Sequence, residues 1–415
     1  MSAAKTLSTW QLRARFAAGL SAMYATEVPA YSALVQVSAQ VNADYLARHP
    51  GAQRLGSLQR VTAERHGAIR VGSPAELAAV ADLFAAFGMA PVGYYDLRSA
   101  QSPIPVVSTA FRPVEAKELA LNPFRMFTSM LATDDSRFFN KGLRRRVQAF
   151  LARRQLFDPA LLARARVIAA EGDCDAADAH SFVAAAVAAF ALAREPIDKS
   201  WYEELAGVSA VAADIAGVGS THLNHLTPRV LDIDELYGRM TQRGITMIET
   251  IQGPPRTEGP AVLLRQTSFR ALAEPRRFRD ADGTATEGSL RVRFGEVEAR
   301  GVALTPRGRQ RYDAAMAQRD PAAVWGNYFP STDAEMAAHG LAYYRGGDPS
   351  APIVYEDFLP ISAAGIFRSN LDRDARAVDA VDSCGYDMPW LAGAIGRDVY
   401  DPYALYEALA KEAVT

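Results

Sequence analysis

The spacing of apolar and polar positions divides the chain into helical and strand-like segments. Residues 9–48 place apolar side chains at helical spacing with an interruption near Pro29, which predicts two helices. HGAIRVG, beginning at His66, has strand character, and SPAELAAVADLFAAFG predicts a helix capped by Ser73 and ended by Gly88. PVGYYDLR, PVVSTAFRP and FRMFTSML then predict three strands. This stretch therefore has the order strand, helix, strand, strand, strand.

The same order of elements recurs later in the chain. Residues 133–218 have a helical pattern, in which WYEELAGVSAVAADIAG (residues 201–217) has the composition of a helix, and this predicts an insertion or a separate helical layer. After them, THLNHLTPRV predicts a strand, and DIDELYGRMTQRG predicts a helix with an Asp cap and a terminal Gly. TMIETIQG, AVLLRQTSFRA and LRVRFGEVEARG predict three further strands. We therefore expect an α+β protein in which one five-element βαβββ unit occurs twice.

The repeat predicts five regions along the chain. They are N-terminal helices that pack on the core (1–60), a first βαβββ module (61–132), a helical insertion (133–218), a second module (219–305) and a C-terminal segment that closes the site (306–415). Within the last region, Ala351–Leu371 combines an acidic pair with small residues that allow close approach of backbone to a ligand.

Composition excludes several classes of protein. The 415 residues are 49% hydrophobic and 22% charged, as in globular proteins, and the net charge of −2 argues against nucleic-acid binding. Cys174 and Cys384 are too few for a disulfide framework and lack the paired spacing of a zinc site, which indicates a reducing compartment. The N-terminus, with Lys5 and Arg13, does not resemble a secretory signal. No apolar run reaches the about 20 residues that cross a bilayer, so we expect a cytoplasmic protein without membrane contact.

His66 and Arg70 are the first candidates for a functional site. They stand four residues apart on a predicted strand and therefore point to the same side. An imidazole can bind a metal while a guanidinium holds the carboxylate of an acidic substrate in bidentate fashion. The alternative is a turn histidine beside a solvated surface arginine.

A second histidine candidate lies in the strand that opens the second module. His222 and His225 have opposite parity there, so that only one of them is expected to face inward. His225 shares its face with Thr227 and Arg229, and it precedes its helix by the interval seen after His66. The pattern favours His225 and leaves His222 as the alternative.

Acidic candidates lie in the last strand of the second module. Glu296 and Glu298 share one face of RFGEVEARG, about 7 Å apart. Burying both carboxylates in so apolar a strand is costly without a cation, although an exposed polar face is the alternative. One ion needs only one of them, and two imidazoles with one carboxylate form the ligand set of non-haem Fe(II) oxygenases, which also suits Mn(II). Gln266 and Ser268 share a neighbouring strand face and are candidates for substrate binding, or an ordinary row of surface residues.

These segments resemble two groups of known proteins. The repeated unit, with candidate ligands on its first and last strands, resembles the vicinal oxygen chelate superfamily, whose modules form half-barrels around one divalent metal. GEVEARG resembles the strand of 4-hydroxyphenylpyruvate dioxygenases in which the ligating Glu precedes an Arg by four residues, a spacing that selects Glu296 before Arg300. More narrowly, the chain resembles the 2-oxoadipate dioxygenase/decarboxylase family in TEVPAYSALVQVSAQVN, ERHGAIRVG, NHLTPRVLDIDEL, RFGEVEARGVALTPRGR and YEDFLPISAAGIF.

The resemblance implies a cupped sheet around Fe(II) and the conversion of 2-oxoadipate and O2 to D-2-hydroxyglutarate and CO2, in lysine breakdown. It implies that His66, His225 and Glu296 bind the metal and that Arg70 binds a substrate carboxylate. A redox-neutral isomerase or lyase of the same fold and a non-catalytic metal-dependent binder of small acids are the alternatives. No GxSxG, P-loop, paired CxxC or GxGxxG pattern supports another chemistry. The oligomeric state is not predicted.

Overall fold

The strands occupy both halves of the chain. The computed structural model describes residues 6–49, 51–52, 58–63, 65–99, 103–291, 293–359 and 385–412. The strands are β1 (Thr6–Ser8), β2 (Arg65–Val71), β3 (Ala90–Asp96), β4 (Val106–Arg112), β5 (Arg125–Leu131), β6 (Asp173–Asp175), β7 (Ile197–Asp198), β8 (Leu223–Pro228), β9 (Leu264–Ser268), β10 (Glu274–Arg279), β11 (Ala285–Leu290) and β12 (Glu296–Arg300).

Helices precede, separate and follow these strands. They are α1 (Thr9–Glu27), α2 (Pro29–Arg48), α3 (Leu58–Ala63), α4 (Pro74–Ala85), α5 (Ala116–Leu121), α6 (Lys141–Leu151), α7 (Pro159–Glu171), α8 (Ala176–Ala188), α9 (Lys199–Ala206), α10 (Ala210–Ala216), α11 (Ile233–Gln242), α12 (Pro306–Met316), α13 (Pro321–Val324), α14 (Asp333–Ala338), α15 (Met388–Ile395) and α16 (Pro402–Lys411). Among these described helices, none is long and apolar enough to cross a membrane.

The first module has the predicted order of elements. Its first strand, β2, pairs in parallel with its last strand, β5, and β4 and β3 follow antiparallel, giving the spatial order β3-β4-β5-β2. Ser73 caps α4 by accepting a hydrogen bond from the backbone N–H of Glu76, as predicted. Gly88 follows the helix with a φ of 64°, a conformation that glycine adopts without strain.

The second module repeats this topology in a less regular form. β8 is its first strand, and the parallel bridge between Arg229 and Glu298 joins the end of β8 to β12. β12 pairs antiparallel with β9. The strand predicted in TMIETIQG is present only as the isolated bridges Met247–Phe269 and Gln252–Gln266, so the expectation of a regular strand there is wrong. The hairpin β10–β11, which the alternation did not predict, lies between β9 and β12.

The two modules meet along their first strands. β2 and β8 pair antiparallel, with His66 opposite Thr227 and Ala68 opposite His225. A shift in register follows, because Ile69 lies opposite Leu223. β8 thus extends the sheet of the first module, and one isolated bridge links it to the separate β9–β12 pair. We call this open arrangement of strands, which is not closed into a barrel, the cup; it confirms the predicted fold class.

Helices outside the modules pack against the cup. Tyr24 on α1 donates its hydroxyl to the carbonyl oxygens of Asn224 and Phe294, both at 2.9 Å, which fixes the predicted N-terminal helices against the second module. In the helical insertion, the single helix expected over WYEELAGVSAVAADIAG is two helices, α9 and α10. They separate at Gly207–Ser209, where Ser209 caps α10. The break turns α10, and Asp214 with it, toward the cup.

The C-terminal region adds a second apolar core and an extra edge to the second module. Val302 pairs antiparallel with Val354, and the N–H of Tyr355 donates to the carbonyl of Gly301 at 2.9 Å. Residues 355–358 therefore run beside the end of β12. Residues 360–371 of the predicted site-closing tail lie outside the described residues, as do Cys384 and Lys5.

Candidate metal centre

Three side chains from both modules converge inside the cup. His66 comes from β2, His225 from β8, and Glu296 is the first residue of β12. His66 Nε2 lies 3.5 Å from Glu296 Oε1, and His225 Nε2 lies 3.6 Å from Glu296 Oε2. The potential ligand atoms are all within 4.8 Å of one another, and the side chains are at most 7% exposed. Among the described residues, this is the one group of three or more His, Cys, Asp or Glu residues with such spacing.

The donor set and its spacing fit a divalent metal. Bonds of about 2 Å from imidazole nitrogen and carboxylate oxygen to one ion place neighbouring ligand atoms about 3–4 Å apart, as found here between Glu296 and each of the two imidazoles. Two imidazoles and one carboxylate leave further coordination positions open and suit Fe(II) and related ions. Burial of Glu296 without a cation is costly, which is a second reason to expect an ion.

The electrostatics of the cluster agree with that fit. Burial lowers the pKa of His225 well below its ordinary value, and His66 and Arg70 act in the same direction, so that the His225 imidazole is neutral, as a metal ligand must be. Burial lowers the pKa of His66 too, but Glu298 and Glu296 outweigh it and raise that pKa. Burial also raises the pKa of Glu296, so a cation would favour its ionised form.

Glu298 lies on the other side of the His66 ring. Its Oε2 is 3.0 Å from His66 Nδ1, whereas Glu296 approaches Nε2 of the same ring. Arg300 donates to both oxygens of Glu298, at 2.7 and 2.8 Å, and Arg125 donates at 3.4 Å. Burial alone raises the pKa of Glu298, but Arg300 and His66 outweigh it and hold that pKa below its ordinary value. The geometry therefore favours Glu296 over Glu298 as the ligand.

Arg70 lies in a polar cluster that includes the helical insertion. Its guanidinium donates to Asp214 Oδ2, which also accepts from Asn224 Nδ2 at 2.9 Å. His222 Nε2 lies 3.3 Å from Asp214 Oδ1. Burial alone raises the pKa of Asp214, but His222 and Arg70 outweigh it and keep that pKa low. His222 is thus buried beside Asp214 and is not part of the three-residue cluster with His225.

Both histidines are buried, although only His225 belongs to the three-residue cluster. His222 and His225 are each 5% exposed. Regular alternation does not extend from His225 to His222, because the register with β2 shifts between them.

Gln266 and Ser268 are both buried on β9, beside the acidic strand. Gln266 Nε2 donates to Glu296 Oε1, and Ser268 lies opposite Glu296 in the β9–β12 ladder. The reading of these two residues as an ordinary surface row is wrong. Gln266 contacts a candidate metal ligand, which leaves its role in substrate binding a prediction.

The C-terminal segment contributes side chains to an aromatic cluster and to an ionic network, both of which lie next to the candidate metal ligands. Phe358 packs edge-on against His66, with ring centroids 4.9 Å apart, and it also contacts Phe127. The sequence indicated the acidic pair Glu356 and Asp357 before Phe358, but it did not predict which residues would pair with them. Those partners are Arg125 for Glu356 and Arg112 for Asp357.

The fold and the cluster together define an α+β protein with two βαβββ modules around a candidate site for one divalent metal. A sequence profile of the 2-oxoadipate dioxygenase/decarboxylase family matches residues 16–370. The chain belongs to that family of enzymes, and the resemblance inferred from the sequence is confirmed.

Relatives match the chain over nearly its full length. The chain is 80% identical to a 2-oxoadipate dioxygenase/decarboxylase of Mycobacterium bovis, over 99% of each chain. It is 41% identical to a protein of the same name in Pseudomonas putida, covering 95% of this chain and 93% of that one. It is also similar to the crystal structure of the hydroxyglutarate synthase in complex with 2-oxoadipate from Pseudomonas putida. That match has a TM-score of 0.83 and 37% identity, and covers 97% of this chain and 96% of the other.

Proposed function

We propose that the chain is an Fe(II)-dependent enzyme that converts 2-oxoadipate and O2 to D-2-hydroxyglutarate and CO2. The observation that carries the proposal is the convergence of two imidazoles and one carboxylate in the cup of a chain 80% identical to a 2-oxoadipate dioxygenase/decarboxylase. The relative solved with 2-oxoadipate supports the choice of substrate. The composition supports a place in the cytoplasm.

His66, His225 and Glu296 would hold the ion. When bound, Fe(II) supplies a Lewis acid that polarises the 2-oxo acid and a one-electron donor for O2. Three ligands leave room for a bidentate 2-oxo acid, because such a substrate offers a carboxylate and a neighbouring carbonyl oxygen. The neutral His225 and the carboxylate of Glu296 set the charge of the site.

Arg70 would bind the distal carboxylate of the substrate. It follows His66 by four residues on β2, and its side chain is buried, so a carboxylate bound there is shielded from water. A charge-assisted pair with the guanidinium would favour a 2-oxo diacid over a neutral 2-oxo acid. Asp214 supplies the anion in the structure described.

Water is excluded from the cluster by an aromatic surface. Phe358, Phe127 and Tyr95 are each buried, and Phe358 covers one edge of His66. A dry site strengthens electrostatic attraction between the ion, the substrate and Arg70.

Oxygen uptake tests the proposed reaction. Metal-free protein would be loaded with Fe(II) and given 2-oxo diacids of different chain length, while O2 consumption and CO2 release are measured. We expect a strong preference for 2-oxoadipate, with one CO2 released for each O2 consumed. Turnover without O2 uptake would instead identify a redox-neutral lyase, and binding without turnover would identify a binding protein.

Two histidine variants test the assignment of the ligands. We expect His225→Ala to lose stoichiometric metal binding and oxygen uptake, because Nε2 of His225 lies in the cluster. His222→Ala is the matched control for metal content: it removes a buried imidazole three positions away that contacts Asp214 instead. Equal metal content in both variants would contradict the assignment of His225.

A further inference from the structure

Glu298 is the centre of a buried ionic network that the proposed reaction does not use. Arg300 holds both of its oxygens, and Arg125 contacts Oε1. Arg125 also pairs with Glu356, and Arg112 pairs with Asp357 through two hydrogen bonds of 2.7 and 3.0 Å. The fully buried part of this network therefore contains three arginines and three carboxylates, namely Arg112, Arg125, Arg300, Glu298, Glu356 and Asp357.

The network connects the C-terminal segment to His66. Arg300 Nη1 donates to the carbonyl oxygens of Tyr355 and Asp357, at 2.8 and 2.9 Å. The carboxylate of Glu298 thus has a fixed position, determined by β12, β5 and the C-terminal segment. Its Oε2 lies 3.0 Å from His66 Nδ1, within hydrogen-bonding distance.

The Nδ1 atoms of both imidazoles are buried, and among the described residues neither makes a hydrogen bond of good geometry. His66 Nδ1 nevertheless lies 3.0 Å from a carboxylate oxygen, that of Glu298. A carboxylate on the outer nitrogen fixes the tautomer of a ligating imidazole, fixes its orientation and makes the inner nitrogen a better donor.

We propose that Glu298 is a positioning residue of the metal centre, whose carboxylate lies against Nδ1 of His66 and holds that ring with Nε2 toward the ion. This inference rests on the proposed metal centre. It adds that Arg300, which donates to both oxygens of Glu298, fixes the position of that carboxylate.

The proposal is tested by equilibrium titration of metal-free protein with Co(II), with visible absorption as the readout. This measurement does not depend on enzyme activity. Glu298→Asp keeps the charge that the arginines require but withdraws the carboxylate from His66. Glu298→Gln keeps the length of the side chain and removes its charge. We expect both variants to bind Co(II) about 10–100-fold more weakly and with an altered absorption spectrum, because outer partners of ligating histidines contribute to this extent.

Glu356→Gln is the matched control. It removes a carboxylate from the same network, where Glu356 contacts Arg125 and Arg60 and not His66. We expect its Co(II) affinity and spectrum to resemble those of the wild type. An equal loss in this control would show that network stability is the cause and would overturn the positioning role.

The failure of each proposal gives a distinct result. Wild-type protein that binds no Co(II) would refute the metal centre itself. Wild-type binding with unchanged affinity and spectrum in Glu298→Asp would overturn only the role of Glu298. Because Glu298→Asp retains the charge balance of the network, it decides the question even where Glu298→Gln does not fold.

Discussion

Glu296 and Glu298 stand two residues apart on one face of β12, yet their surroundings differ in charge. Glu298 contacts the guanidinium groups of Arg300 and Arg125, which keep its pKa low. Glu296 contacts two imidazoles and an amide, and burial raises its pKa. Strand alternation predicted that the two carboxylates share a face. It could not predict their partners, because Arg125 belongs to the other module.

Substitution of Asp214 tests whether its carboxylate neutralises the guanidinium of Arg70 and whether a diacid can take its place. Asp214→Asn removes the charge that neutralises a buried guanidinium, and loss of one partner of a buried pair costs about 3–5 kcal/mol. We expect this variant to melt at a lower temperature. A diacid that binds Arg70 would replace the missing anion, so glutarate, which lacks the 2-oxo group, should raise the melting temperature more in the variant than in the wild type.

The matched control for Asp214→Asn is Asp135→Asn. Asp135 is a buried carboxylate whose partners are Arg98 and Arg137, so its variant should lose stability without gaining a larger response to glutarate. An equal response to glutarate in Asp214→Asn and the wild type would show that the diacid does not bind next to Asp214.

At the scale of elements, the sequence predicted most helices and strands of the modules because their periodicity and caps are local. It failed where pairing is set by distant residues. The segment TMIETIQG has strand composition but makes only isolated bridges. The helix expected over residues 201–217 breaks because Ser209 can cap a new helix after Gly207. The register shift opposite Ala68 brings His222 inside, and no local pattern signals it.

Gly301 shows how closely the second module packs after β12. A Cβ at this position would lie 2.1 Å from the backbone oxygen of Ala261, so Gly301→Ala must displace backbone. We expect the substitution to lower the free energy of unfolding by about 1–3 kcal/mol, as overpacking does. Urea denaturation measures the change.

Gly238→Ala is the control for the same substitution in open space. A Cβ on Gly238, inside α11, meets no atom within 4 Å. Alanine there should stabilise the protein by about 0.5–1 kcal/mol, because it restricts the unfolded chain and favours the helix. Similar effects of Gly238→Ala and Gly301→Ala would contradict the packing described for Gly301.

At the scale of the molecule, the candidate site is built from parts that are far apart in the chain. His66 lies in the first module, His225 and Glu296 lie in the second, and Asp214 comes from the helical insertion. The repeat of the βαβββ unit allowed the first three to be predicted together, because corresponding strands of two modules meet. Asp214 could not be predicted in this way, because nothing in its sequence context fixes where the insertion packs.

A metal held by ligands from both modules should stabilise the whole fold. An ion that binds the native state and not the unfolded state contributes about 2.7 kcal/mol when its free concentration is 100 times its dissociation constant. We therefore expect the melting temperature of metal-free protein to rise as Co(II) is added, in a single transition, because the ion joins β2 to β8 and β12. His225→Ala should show no such rise. A rise confined to one of two separate transitions would contradict a site shared between the modules, since only one module would then hold the ion.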